Sequence, residues 1–62
     1  MKVGDLKPGD VLVGAQTIIL VLNVVNGHFE MFDLENGNRW STKSDVNNEV
    51  TGWEVFHGGE ES

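Results

Sequence analysis

Two Asn-Gly pairs, Asn26-Gly27 and Asn36-Gly37, punctuate the apolar middle of this 62-residue chain and constrain its fold more than any other feature. Asn-Gly between apolar runs is the strongest short-range hairpin signal, because a two-residue type I′ turn needs positive φ at both central positions. The first run, Thr17 to Val25, is the longest apolar stretch and is rich in β-branched residues; His28 to Leu34 and Arg39 to Thr42 follow the two turns. The pattern predicts a three-stranded antiparallel meander.

Two-residue loops would pair Val25 with His28, Val24 with Phe29, Leu22 with Met31 and Leu20 with Asp33 in the first hairpin. In the second they would pair Leu34 with Arg39, Asp33 with Trp40 and Met31 with Thr42. Side chains alternate along a strand, so this register sorts the meander into two faces. Ile18, Leu20, Leu22, Val24, Phe29, Met31 and Trp40 form the expected core face, with Leu20 and Trp40 inside it. The opposite face is polar around Asn23, Glu30 and His28 and apolar around Ile19, Val21, Phe32 and Leu34, with Arg39 beside them. That apolar end is either closed over by further strands or left as an interaction surface.

Upstream, Lys7-Pro8-Gly9-Asp10 suits a type II turn, with Pro8 setting φ and Gly9 taking positive φ. Val11 to Val13 reads as a short first strand, and Val3 and Leu6 as a plug beneath one end of the fold. Lys43 to Val50 is polar and Asn-rich, a loop with one 3₁₀ turn expected around Ser44 to Val46. Thr51 to Phe56 reads as the last strand, with Trp53 and Val55 on one face and Glu54 and Phe56 on the other. The expected organisation is a single domain over residues 1–57, followed by a disordered acidic tail over 58–62.

Five short strands without a helical period predict an all-β fold, a small five-stranded SH3-like barrel built round the meander. Barrel closure would cover the aromatic residues and remove exposed sheet edges. The opening Val3-Gly4-Asp5-Leu6 and Pro8-Gly9-Asp10-Val11, the long strand and the Asp33–Trp40 hairpin resemble small SH3-like barrels of prokaryotic and phage origin, over about residues 3–56. That resemblance implies binding of peptides, proteins or nucleic acid through loops and one open sheet face. The chain has no Tyr and lacks the clustered aromatic groove of proline-binding SH3 domains; it also lacks the basic loops of KOW-type barrels. Neither of those activities carries over.

Composition narrows the function. Ten carboxylates against four Lys and Arg give a net charge of −6, which opposes a phosphate-binding surface and hence direct contact with nucleic acid. Without Cys there is neither a disulfide nor a thiolate site. Asp33 to Asn38 has the look of a cation loop, but counting from Asp33 puts Asn38 and Ser44 where an EF-hand needs Gly and Glu. His28 and His57 stand alone and read as solvated, so no metal or other cofactor is expected. Ser41, Thr42 and Ser44 sit in no nucleophile motif, and no catalytic residue is expected. The nine-residue apolar run is far short of the roughly 20 residues that span a bilayer, and nothing resembling a signal peptide opens the chain. A cytoplasmic location follows, in the host cytoplasm if the chain is phage-encoded.

These readings converge on a non-enzymatic, acidic protein-interaction module, an accessory or phage protein. It would bind a host or complex partner, or a second copy of itself, through Ile19, Val21, Phe32, Leu34 and Arg39. An acidic DNA mimic competing for a nucleic-acid-binding site is the alternative from another class, and a structural subunit of a larger assembly is a third. No membrane contact is expected.

Overall fold

The computed structural model describes residues 1–58, so all but the first residue of the expected tail lies outside the described residues. Five strands form one antiparallel sheet: β1 (Asp10–Val13), β2 (Ile18–Val25), β3 (His28–Asp33), β4 (Arg39–Lys43) and β5 (Glu54–His57). Their spatial order is β4-β3-β2-β1-β5. The expected all-β fold and its central meander are present, but the expected barrel closure is not. The edge strands β4 and β5 share no ladder, so the sheet remains open.

Local chemistry accounts for the turns. Asn26 (φ 50°) and Gly27 (φ 80°) both take the left-handed conformation of a type I′ turn, and Val25 pairs with His28 and Val24 with Phe29 as the sequence predicts. At Lys7–Asp10, Gly9 has φ 97° and the Asp10 N–H donates to the Lys7 carbonyl at 3.1 Å, closing the type II turn.

Beyond Val24 the first hairpin departs from the two-residue-loop register. Val21, not Leu22, lies opposite Met31; Leu20 pairs with Phe32 and Ile19 with Asp33. The shift falls between Val21 and Asn23, leaving Leu22 as the extra residue of a β-bulge. One extra residue inverts the faces of everything before it in the strand. Ile19 and Val21, expected opposite the core, are therefore buried in it at 8% and 0% exposure. Ile18, Leu20 and Leu22, expected in the core, are half-buried on the other side of the sheet.

The second hairpin is wider than expected. Phe32 pairs with Arg39, Met31 with Trp40 and Phe29 with Thr42, so the predicted Leu34–Arg39, Asp33–Trp40 and Met31–Thr42 pairs do not form. The cause is Asp33, whose carboxylate accepts the N–H groups of Glu35 (2.8 Å) and Asn36 (3.1 Å) and winds the chain into a longer turn. Gly37 (φ 76°) ends that turn by donating its N–H to the Asp33 carbonyl at 2.8 Å. Because this slip is two residues, it preserves the faces of β4.

Leu6, Leu12, Ile19, Val21, Phe29 and Met31 make the core, with Val3, Val24 and Val55 packed against it. The inner face of the sheet is roofed by the N-terminal segment and the β4–β5 connection, which hold each other by backbone bonds. The N–H groups of Val3 and Gly4 donate to the carbonyls of Asn48 (2.7 Å) and Val46 (2.9 Å), and the Val50 N–H donates to Met1 (2.8 Å). The 3₁₀ helix of the described residues lies at Val3–Asp5, while near the turn expected at Ser44 to Val46 the Asn48 N–H donates to the Asp45 carbonyl at 3.0 Å and closes a single turn; the last strand begins at Glu54 rather than Thr51.

Two outcomes test this account. Ile19→Ala should cost about 2–5 kcal/mol, enough to unfold most of so small a domain, whereas Leu20→Ala should leave a folded protein; urea denaturation of both variants measures the difference. The second concerns pH. The N–H groups of Glu35 and Asn36 hold the Asp33 carboxyl below its ordinary range. The stability this confers is complete above the unfolded-chain value of about 3.9 and is lost as pH falls through the lower folded value. Urea midpoints followed from about pH 5 to 2 should fall in that window, and Asp33→Asn should flatten this part of the profile.

Candidate protein-binding face

Register across the open sheet lines up two rows of side chains on its outer face. Phe56 lies opposite Val11, Val11 opposite Leu20, Leu20 opposite Phe32, and Phe32 opposite Arg39, so one row crosses all five strands. In the adjoining row Glu54 faces Val13 and Val13 faces Ile18. Leu34 extends this row by donating its N–H to the Ile18 carbonyl at 2.9 Å. None of these apolar side chains belongs to the core cluster or packs against it. Phe56 is 52% exposed and Leu34 47%, while Val11, Val13, Ile18, Leu20 and Phe32 are half-buried.

The other half of this face is polar. Past the bulge, Asn23, Glu30 and Ser41 form one row and Val25, His28 and Lys43 the next. Arg39 forms an ion pair with Glu30, its Nε lying 3.1 Å from Oε2 and a second guanidinium nitrogen on the same oxygen. The pair is solvent-exposed, so it fixes the Arg39 side chain more than it stabilises the fold.

Of the five expected site residues, the structure brings Phe32, Leu34 and Arg39 together on this face. Ile19 and Val21 are corrected to core residues, and Ile18 and Leu20 stand in their places because of the bulge. Val11, Val13 and Phe56 complete the surface. Their signal in the sequence is the unbroken apolar character of Val11–Val13 and Ile18–Leu22, since strands apolar at every position are those covered on both faces.

The inner side carries a second concave feature. Trp40, expected in the core, and Trp53 both stand on the core-facing side but are 38% and 36% exposed rather than enclosed. They flank a cavity of about 260 Å³ floored by Leu12, Phe29 and Met31. Gly14 permits this arrangement: a Cβ there would lie 2.8 Å from the Trp53 ring. His57, expected to be free in solvent, places Nδ1 3.3 Å from Oδ2 of the buried Asp10, although its own side chain is 53% exposed. Among the described residues no three His, Asp or Glu are grouped to hold a metal ion. No helix there is long and apolar enough to cross a membrane.

Compared with family models, curated proteins and solved structures, the chain matches none.

The close approach of Gly14 to Trp53 has a measurable consequence. Gly14→Ala should push the indole outward and shift the tryptophan emission to longer wavelength, with little change in the far-ultraviolet circular dichroism.

Proposed function

We propose that this chain is a non-enzymatic protein-interaction module, a small SH3-like domain of the prokaryotic or phage type acting in the cytoplasm, which docks a protein partner through the outer face of its sheet. The observation that carries the reading is the Phe56–Val11–Leu20–Phe32–Arg39 row. Four apolar side chains and one Arg, aligned across five strands and outside the core, make a contiguous surface whose burial by a partner is favourable at roughly 25 cal/mol per Å². Arg and Phe are residue types enriched at interface cores. The long bent β2 and the two hairpins that follow it support the SH3-like reading.

An acidic mimic of nucleic acid finds less support. Asp10 is buried, Asp33 is engaged by its own turn, and Glu30 is paired with Arg39, so three carboxylates are turned to internal use.

Phe32→Ser and Phe56→Ser test the proposal. Both should keep the wild-type pattern of amide NMR shifts away from the substitution. Both should lose whatever protein the tagged wild-type chain retains from a lysate of its source cells. Retention of the same protein by both variants would move the binding surface elsewhere, the Trp40–Trp53 cleft being the next place to look.

A further inference from the structure

We infer that the outer face is covered by a second copy of this chain, docked about a two-fold axis that runs along β2. The inference rests on the reading of that face as a protein-binding surface and names its occupant.

The sheet order supplies the symmetry. With two strands on either side of β2, a two-fold axis parallel to the strands and lying between two stacked sheets sets β4 over the partner copy's β5 and β3 over its β1. Positions along the strands are preserved, so each row meets itself read backwards. Phe32 then meets Val11 of the other copy, Leu34 meets Val13, and Leu20 and Ile18 meet their own counterparts near the axis. Phe32 and Leu34 each face a smaller valine, the alternation that lets two layers interdigitate. Arg39, held by Glu30, comes over Phe56, setting a guanidinium on an exposed ring. Twisted sheets stacked in this way cross at about 30°, which spreads the outermost contacts over adjoining residues.

Charge favours a second copy over a basic partner. The chain carries −6, yet the charged residues that the ladders place on the outer face are Arg39 and Lys43 against Glu30 and Glu54, two of each sign. The acidic excess lies off this face, so two equally acidic chains can approach here without direct repulsion. A cationic partner would find Glu30 already paired with Arg39 and no net negative charge among these four side chains.

Size sets the strength. Four strand spacings of about 4.8 Å by roughly 20 Å of strand bury on the order of 400 Å² per copy. A total of about 800 Å² belongs with weak, transient complexes, so dissociation constants on the order of tens of micromolar are expected.

Sedimentation velocity of the full chain, from about 10 μM to 1 mM, should show the average mass rising from one copy toward two, as a weak interface requires. Phe32→Ser and Arg39→Ala should weaken the association at least tenfold, and Leu20→Lys, which sets two like charges at the axis, should abolish it. Isotope-filtered NMR on a mixture of labelled and unlabelled protein should give contacts between Phe32 and Val11 of different copies; within one sheet these residues are separated by β2. A dimer whose filtered contacts come from the sheet edges or from Trp40 and Trp53 overturns the inference. So does a chain that is monomeric at every concentration. In that last case the binding reading survives if Phe32→Ser still abolishes capture of another protein, and falls with the dimer if it does not.

Discussion

The backbone bond from the Gly9 N–H to the Val21 carbonyl, 2.8 Å long, is the contact on which the arrangement of this sheet turns. It ties the Lys7–Asp10 turn to the middle of β2 at the residue where the strand changes partners. Before that point β2 lies between β1 and β3; after the bulge it pairs with β3 alone. Leu22, left over by the bulge, resets the alternation, so Ile19 and Val21 face the same interior as Val24 and Phe29. Every later property of the molecule inherits that choice, including which apolar residues stabilise it and which are left outside.

This explains what could be read from the residues and what could not. Asn26-Gly27 is decided by two φ angles and needs no other part of the chain, so its turn and first two pairs were legible. Asn36-Gly37 looks identical, yet Asp33, three residues earlier, offers two backbone N–H groups a carboxylate and lengthens the turn. The bulge was illegible for a different reason. Ile18-Ile19-Leu20-Val21-Leu22 is apolar at both parities, so either register buries an aliphatic set of nearly equal hydrophobicity. What separates them is long-range: the pairing of Leu12 with Ile19 and the claim of Gly9 on Val21. Of the five residues expected to share one face, Phe32, Leu34 and Arg39 therefore do, while a shift of one position carries Ile19 and Val21 into the core.

The inner face is covered by means that propensity does not reveal. The Met1–Gly4 segment has no strand character of its own, yet it holds the Val46–Val50 stretch through the carbonyls of Val46 and Asn48 and its own Met1 carbonyl. Lys2 and the N-terminal ammonium add exposed ion pairs to Glu49 (3.7 and 3.3 Å), which contribute little in water. The roof brings Leu6 into the core but does not enclose Trp40 and Trp53, which bound the cavity beside it.

Among the described residues the sheet has a cover on its inner face and none over the apolar half of its outer face. The inner face takes the N-terminal segment and the β4–β5 connection; after these, only the turns remain, and they are occupied at the sheet ends. Burying the outer side chains as well would take a further layer, and the open β4 and β5 edges belong to the same single-layered sheet. Selection for solubility alone would place polar residues at Val11, Leu20 and Phe32, because the outer face would be held by backbone ladders in any case. Apolar side chains there add nothing to the core, which is why the outer face, rather than the cleft beside Trp40 and Trp53, carries the proposed docking surface.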